Sequence, residues 1–357
     1  MTAAADLHPA LDTKLCRMTG CKYPIVQSAM GWVATGRLCA ATANAGALGF
    51  IGSATMDLKQ LAEEIAYVKD HTDQPFGVNM RSDAPDAAER VQMIIKSGVK
   101  VAGFALAPKE KLIKTLKDAG VACIPSIGAK RHAEKVASWG ADALIVQGGE
   151  GGGHTGSIAT TVLLPQIVDA VDIPVIAAGG FCDGRGLMAA LSFGAEGIAM
   201  GTRFLLTKES PVPENVKAIY IKAGVGDTVA TDQVDGHQHR MIRNGFVDKL
   251  LTSPGWKNAL LALGNALKLR GLTHMSLTDM MKQGWSMRRD HGYGLAQVVM
   301  AANTPVLLRT TMVEGKTEFG ILPGGQVMGL INEIESCDEL IQRVVAEATA
   351  ILDRFQR

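Results

Sequence analysis

Apolar residues in the first two hundred positions come in short runs separated by longer stretches of mixed polarity. The runs are Pro24–Gln27, Ala47–Ile51, Phe76–Asn79, Val99–Phe104, Val121–Ile124, Ala143–Val146, Pro174–Ala177 and Gly197–Met200. Their starts lie roughly 22 to 31 residues apart, the length of a strand, a helix and two short loops, which is the rhythm of parallel β/α units. Mostly apolar on both faces, the runs suit strands covered on each side. Between them, Leu58–Asp70 and Lys109–Ala119 space apolar residues three and four apart among charges, as amphipathic helices do. Two near copies of one turn, Ser-Trp-Gly-Ala-Asp at 138–142 and Ser-Phe-Gly-Ala-Glu at 192–196, each set a glycine at a helix end and an acid before the next run. Eight units predict a (β/α)8 TIM barrel, because a doubly wound sheet usually stops at five or six strands.

The rhythm ends near Leu206. Residues 207–316 read as helices and loops, including Val216–Ala223, Val247–Leu251, Trp256–Arg270 and Leu277–Gln283, with no strand series. The expected architecture is α/β: a barrel formed by 1–206 and 317–357, with a mainly helical cap at 207–316 inserted after strand eight. The turn-rich Phe319–Gln326 would lead back to the barrel, and the amphipathic Cys337–Phe355 would supply its last helix.

With 47% hydrophobic and 20% charged residues in 357, the chain has material for a large core. A net charge of +1 gives no basic footprint, so nucleic acid is not an expected partner. The six cysteines are scattered without CxxC spacing, which argues against a disulfide framework or structural zinc. Met1–Met18 mixes charges among its apolar residues, unlike a secretory leader, and no run is long enough to cross a bilayer. The expectation is a soluble, cytoplasmic protein with no membrane partner. Glycine is the outlier: 40 residues, about 11% against about 7% in average usage, which suggests many tight turns or backbone approaching a ligand closely.

Barrels bind ligands at the C-terminal ends of their strands, so the residues after each run carry the candidate chemistry. The seventh run ends in Gly179-Gly180 and the eighth in Met200-Gly201-Thr202. Glycines there let backbone N–H groups face an anion, at the usual phosphate position of such barrels. After the sixth run comes Gln147-Gly-Gly-Glu-Gly-Gly-Gly-His-Thr-Gly156, which contains a literal GxGxxG. It is not read as a dinucleotide fold, because it follows the sixth unit and no ribose-binding acid ends the next strand. On so flexible a glycine loop His154 is poorly explained by packing, and it suits a general base or acid near neutral pH. Glu150 fits a loop-bracing carboxylate at least as well as a catalytic one. His237 and His239 have no third ligand at metal spacing and read as surface or cap residues, so no metal is expected. No GxSxG occurs, and Cys182 has no recognisable partner base.

Five segments in order, Pro24-Ile-Val-Gln-Ser-Ala-Met30, Phe76-Gly-Val-Asn79, Gln147–Gly156, Ala178-Gly-Gly-Phe-Cys-Asp-Gly-Arg185 and Met200-Gly-Thr-Arg-Phe204, resemble the nitronate monooxygenase family of FMN barrels. That group also takes in FMN-dependent enoyl-acyl-carrier-protein reductases and NADH:quinone reductases. The likeness covers most of residues 20–206 and resumes at Pro323-Gly-Gly-Gln326. It implies that Ser28, Ala29 and Met30 lie against the isoalloxazine, with Asn79 and Gln147 close by. The FMN phosphate would rest on the backbone of Gly179, Gly180, Gly201 and Thr202, and Gly152, Gly153, Met200 and Gln326 complete the implied cofactor site. His154 matches the family's active-site histidine.

The activity implied first is oxidation of alkyl nitronates with O2, with His154 as the active-site base acting on the α-proton or pairing with the anionic nitro group. The alternative is a reductase or dehydrogenase using NADH or NADPH, acting on a quinone or on an enoyl thioester of CoA or acyl carrier protein. Met30-Gly-Trp-Val33 leans toward the quinone-reductase branch. A phosphate-binding barrel without redox chemistry is a third reading. Arg240, Arg243, Arg288 and Arg289 are candidates for a CoA or NADPH phosphate, or for solvated surface positions. A homodimer is the default assembly.

Overall fold

A computed structural model describes residues 7–105, 108–254, 257, 264 and 303–355. Eight parallel strands close a barrel: β1 Ile25–Gln27, β2 Leu48–Gly52, β3 Phe76–Arg81, β4 Val101–Ala105, β5 Ala122–Ile127, β6 Leu144–Gln147, β8 Val175–Ala178 and β9 Ile198–Met200. The ring is sealed by β1 on β9, with Ile25 opposite Ile198 and Gln27 opposite Met200. Each strand grows from one of the eight apolar runs. A two-residue strand, β7 (Gly153–His154), lies outside the ring.

The barrel has two hydrophobic layers. Inside, Val26, Leu48, Phe50, Val101, Ile124, Ile145, Ile176 and Ala199 pack on one another, and Leu15 and Cys16 of α1 (Lys14–Thr19) join them. Leu15 lies against Gly197, so α1 plugs the N-terminal end. Outside, the helices bury an apolar stripe on the strands: α2 (Gly36–Asn44), α3 (Leu58–His71), α4 (Ala87–Lys96), α5 (Glu110–Asp118), α6 (Lys130–Ser138), α7 (Thr160–Val168) and α8 (Gly184–Ser192). Local chemistry sets their ends. Asp57 and Gln60 form a reciprocal capping box on α3, and Asp183 accepts from Gly186 N–H to start α8.

After β9 comes the short α9 (Thr202–Leu205), and the chain then leaves the ring. Its described parts are α10 (Glu214–Lys222), β10 (Thr228–Thr231), β11 (His239–Ile242), α11 (Gly245–Thr252) and α12 (Asn303–Met312). Sequence expected no strands here. Instead β10 and β11 form an antiparallel hairpin, and β11 pairs with β7, giving the order β10-β11-β7. The hairpin escapes a pattern reading because Thr228–Thr231 is only half buried and begins and ends in threonine. A small core of Val234, Met241, Val247, Leu250, Leu307 and Ile321 lies beneath it. The expected helices at 256–270 and 277–283 fall outside the described residues, apart from 257 and 264.

The helix α13 (Cys337–Phe355) buries Cys337, Leu340, Ile341, Val344 and Ala348 and fills the gap between α8 and α2, where the ring needs its eighth helix. Gly184 permits this approach, since a side chain there would strike Glu347 and Ala348. The return of the chain is fastened by Arg203, which is 2% exposed and donates to the carbonyls of Glu333 and Leu206 at 3.1 and 3.0 Å. Glu335 lies 3.4 Å from Arg203 and 2.8 Å from Arg343 of α13, so the buried charge is paired. Among the described residues no helix is long and apolar enough to cross a membrane.

Phe50 fills the barrel centre at the expense of its neighbours. A Cβ at Gly77 would strike its ring, and one at Gly103 would lie 3.0 Å from it. Gly77→Ala should therefore lower unfolding free energy by about 1–3 kcal/mol, with less than the additive loss when combined with Phe50→Leu. Urea melts of the four proteins in that cycle check the coupling, and strict additivity would refute the contact.

Candidate active site

The C-terminal ends of the strands hold the residues singled out in the sequence. Ser28, Ala29 and Met30 follow β1, Asn79 lies within β3, Gln147 ends β6, Gly179 and Gly180 follow β8, and Gly201 follows β9. Each is half buried or exposed while the strand residues before it are buried, so together they form a rim. Ser28 N–H donates to the carbonyl of Met200 at 3.0 Å, and a Cβ on Gly201 would come within 3.9 Å of Ser28 and 3.7 Å of the Met30 sulfur. Asn79 faces Gly103 on β4 and its carbonyl accepts from Ser53.

A glycine cradle occupies the β8 and β9 side. Gly179 and Gly180 have φ of 93° and 89°, a region in which a side chain is strained. Among the described residues the N–H groups of Gly179, Gly180 and Gly201 meet no protein acceptor. Backbone donors freed by glycine make a concavity suited to a phosphate. Thr202 sits behind it, its hydroxyl accepting from Gly325 N–H at 3.0 Å.

The loop after β6 is not the flexible segment that the sequence suggested. Gln147 Nε2 donates to the carbonyls of Gly152 and His154, at 3.3 and 2.9 Å. Glu150 accepts from Thr160 N–H at 2.9 Å and its hydroxyl at 2.7 Å, at the start of α7. Its carbonyl accepts from Gln326 N–H at 3.0 Å. Glu150 is thus the loop brace of the two roles considered for it. Gly152 lies against Gly324 and Gly325, too close for a side chain. Gly153 pairs with Arg240 and His154 with His239 across the small sheet.

The His154 side chain remains 51% exposed, and its Nε2 lies 2.6 Å from Asp235 Oδ2. Asp235 is buried in the turn between β10 and β11, where Thr304 donates to Oδ2 at 2.6 Å and His237 N–H to Oδ1 at 3.1 Å. Burial works to raise the Asp235 carboxyl, but the hydrogen bond and charge of His154, with Thr304, outweigh it and hold it below the usual range. His239 is not a surface residue: it is 2% exposed, its ring centroid is 4.7 Å from that of His154, and burial pushes its pKa down to about 3. Neither of its ring nitrogens has a hydrogen-bond partner among the described residues. Burial also lowers His237, whose ring stands edge-on to His154 at 5.9 Å. His154, Asp235 and His239 bring three potential metal-ligand atoms within 4.8 Å, a grouping that sequence spacing did not reveal.

Further residues emerge only in three dimensions. Trp32, beyond β1, has φ of 65°, uncommon for a bulky residue. It is held by its N–H on Thr55 (3.2 Å), its indole N–H on the Pro305 carbonyl (3.0 Å) and Arg309 at 5.6 Å over its ring. Arg240 donates to the Gly149 carbonyl at 3.0 Å and to Thr228 at 2.9 Å, so it serves the loop. Arg243 pairs with Asp248 at 2.7 Å, and Arg288 and Arg289 lie outside the described residues. Burial, with Asp183 nearby, pushes the Cys182 thiol up to about 11, unsuited to a nucleophile at neutral pH.

A family model described as nitronate monooxygenase matches residues 12–91 and 86–347. The chain is 55% identical over 341 residues, 95% of itself and 96% of the relative, to the (3aS,4S,5R,7aS)-5-hydroxy-7a-methyl-1-oxo-octahydro-1H-indene-4-carboxyl-CoA dehydrogenase of Mycobacterium tuberculosis. It is 34% identical over 283 residues, 66% of itself and 80% of the relative, to a protein of Staphylococcus aureus named "Probable nitronate monooxygenase". The solved structure of FabK from Thermotoga maritima superposes with a TM-score of 0.79 at 33% identity, covering 96% of this chain and 98% of that one.

Glu150→Ala removes the acceptor at the start of α7. A loss of about 1–2 kcal/mol in stability is expected, comparable to deleting a helix cap. Denaturant titration tests it, and an unchanged midpoint would contradict the bracing role.

Proposed function

The chain belongs to the nitronate monooxygenase family, and from that premise we propose that it is an FMN-dependent dehydrogenase of acyl-CoA thioesters. It is an oxidoreductase, as its family and its relatives are. The observation that carries the substrate class is the reach of the likeness to the acyl-CoA dehydrogenase: 95% of this chain, too much to leave out residues 207–316. That segment carries the hairpin over the barrel mouth, so a substrate is selected there as well as in the barrel.

The rim fits FMN. Gly179, Gly180 and Gly201 would receive the phosphate on backbone N–H groups, and Ser28, Ala29, Met30, Asn79 and Gln147 lie along the half-buried edge open to a flat ring. When bound, FMN would supply a two-electron acceptor for the β-hydrogen of the acyl chain and its electron pair. His154 takes the proton α to the thioester carbonyl, whose acidity the thioester provides, before or as the β-hydrogen leaves. The product is the α,β-unsaturated thioester, and the electrons must pass on to an oxidant such as O2, a quinone or NAD(P)+. Run in reverse, the same residues would serve a reductase fed by NADH or NADPH. Nitronate oxidation is the second reading, favoured by the family model and the staphylococcal relative. An alkyl nitronate likewise bears its charge beside the reacting carbon.

Anaerobic mixing of the yellow holoenzyme with an alicyclic acyl-CoA, with an alkyl nitronate, and with NADH or NADPH separates these readings. Bleaching of the visible flavin band by the acyl-CoA is expected. Bleaching by the nitronate alone would establish the second reading, and by NADH or NADPH alone a reductase. His154→Ala should keep its flavin and lose roughly 10²-fold or more in turnover. Gly180→Val or Gly201→Val should lose FMN first, and full flavin content in both would refute the phosphate cradle.

A further inference from the structure

The chemistry above uses His154 but not the carboxylate that holds it. Asp235 Oδ2 is 2.6 Å from His154 Nε2, and three hydrogen bonds, from His154, Thr304 and His237 N–H, fix the carboxylate in place. Two donors sharing one tetrahedral zinc ion would stand about 3.3 Å apart, from bonds of about 2.0 Å. At 2.6 Å the pair is a charge-assisted hydrogen bond rather than two corners of a metal site. The second anchor, Asn303, donates to the Val234 carbonyl at 2.9 Å, so α12 grips the turn beside Asp235 as well as Asp235 itself.

We propose that Asp235 is a positioning residue, which keeps the His154 proton on Nε2 and so presents Nδ1 as the acceptor to the substrate. A neutral imidazole has one donor and one acceptor nitrogen, and the bond made by one decides the state of the other. Among the described residues Nδ1 of His154 has no protein partner, while the ring is half exposed. His239 cannot compete for the carboxylate, since neither of its ring nitrogens makes a hydrogen bond among the described residues. Among the described residues the other titratable groups facing the pair are His237 on the same turn and, acting on His237, Arg81 at the end of β3 and Asp83 beyond it. The inference rests on the reading of His154 as the proton acceptor.

The test is a long-range ¹H–¹⁵N spectrum of histidine-labelled holoenzyme without substrate, paired with kinetics of Asp235→Asn and Thr304→Val. The wild type should show His154 protonated at Nε2 and bare at Nδ1. In Asp235→Asn that preference should weaken, with flavin content retained. Its kcat should fall roughly 10- to 100-fold with KM little changed. Thr304→Val, which leaves the carboxylate, should shift the same readouts in the same direction by less. A wild-type proton on Nδ1, or an Asp235→Asn loss with the spectrum unmoved, would overturn the proposal. The spectrum needs no substrate, so it stands or falls apart from the acyl-CoA assignment.

Discussion

The contact between His154 and Asp235 joins segments 81 residues apart, and the order of the barrel mouth depends on it. The loop after β6 carries six glycines between Gly148 and Gly156, which makes it costly to hold in one shape. Four restraints converge on it: the β7–β11 ladder, the Gln147 amide, the Glu150 carboxylate on α7 and the Arg240 guanidinium on Gly149. None of these fixes the His154 ring itself. Among the described residues the Asp235 carboxylate is the hydrogen-bond partner that does so, and it comes from a turn whose own position is set by α12 and the small core beneath the hairpin.

A histidine on the β6 loop held by a carboxylate from the turn between β10 and β11 bears on the chemistry proposed for the site. The thioester's α-carbanion and an alkyl nitronate both place negative charge beside the reacting carbon, so one rim could accept either substrate class proposed for it. What distinguishes them is the shape and polarity of the space above the rim. Among the described residues the β10–β11 hairpin reaches that rim through its pairing with β7, and its turn supplies Asp235.

The barrel was legible in the sequence because parallel strands buried on both faces leave unbroken apolar runs. Cys337–Phe355 was legible because its apolar positions recur with helical spacing, and the helix has those bounds. The glycine stops after β8 and β9 marked the rim, and His154 was conspicuous among glycines. The β10–β11 hairpin was not legible, since short half-buried strands alternate too little to register. Asp235 carried a weaker signal, an acid before a glycine and two histidines in Asp235-Gly-His-Gln-His239, but its meaning depends on a strand register that local sequence does not encode. For the same reason His239 looked exposed when it is among the most buried polar residues.

The position of α13 bears on how the molecule is made. The ring of helices has a seam between α8 and α2 that only Cys337–Phe355 fills, and this helix follows β9 by more than a hundred residues. During synthesis all eight barrel strands therefore leave the ribosome well before the helix that covers the apolar flank of the last ones. For the time taken to translate the insertion, Thr42, Leu187 and their neighbours face solvent or a chaperone. The chain between β9 and α13 thus prolongs the time for which apolar surface of the unfinished barrel stays uncovered.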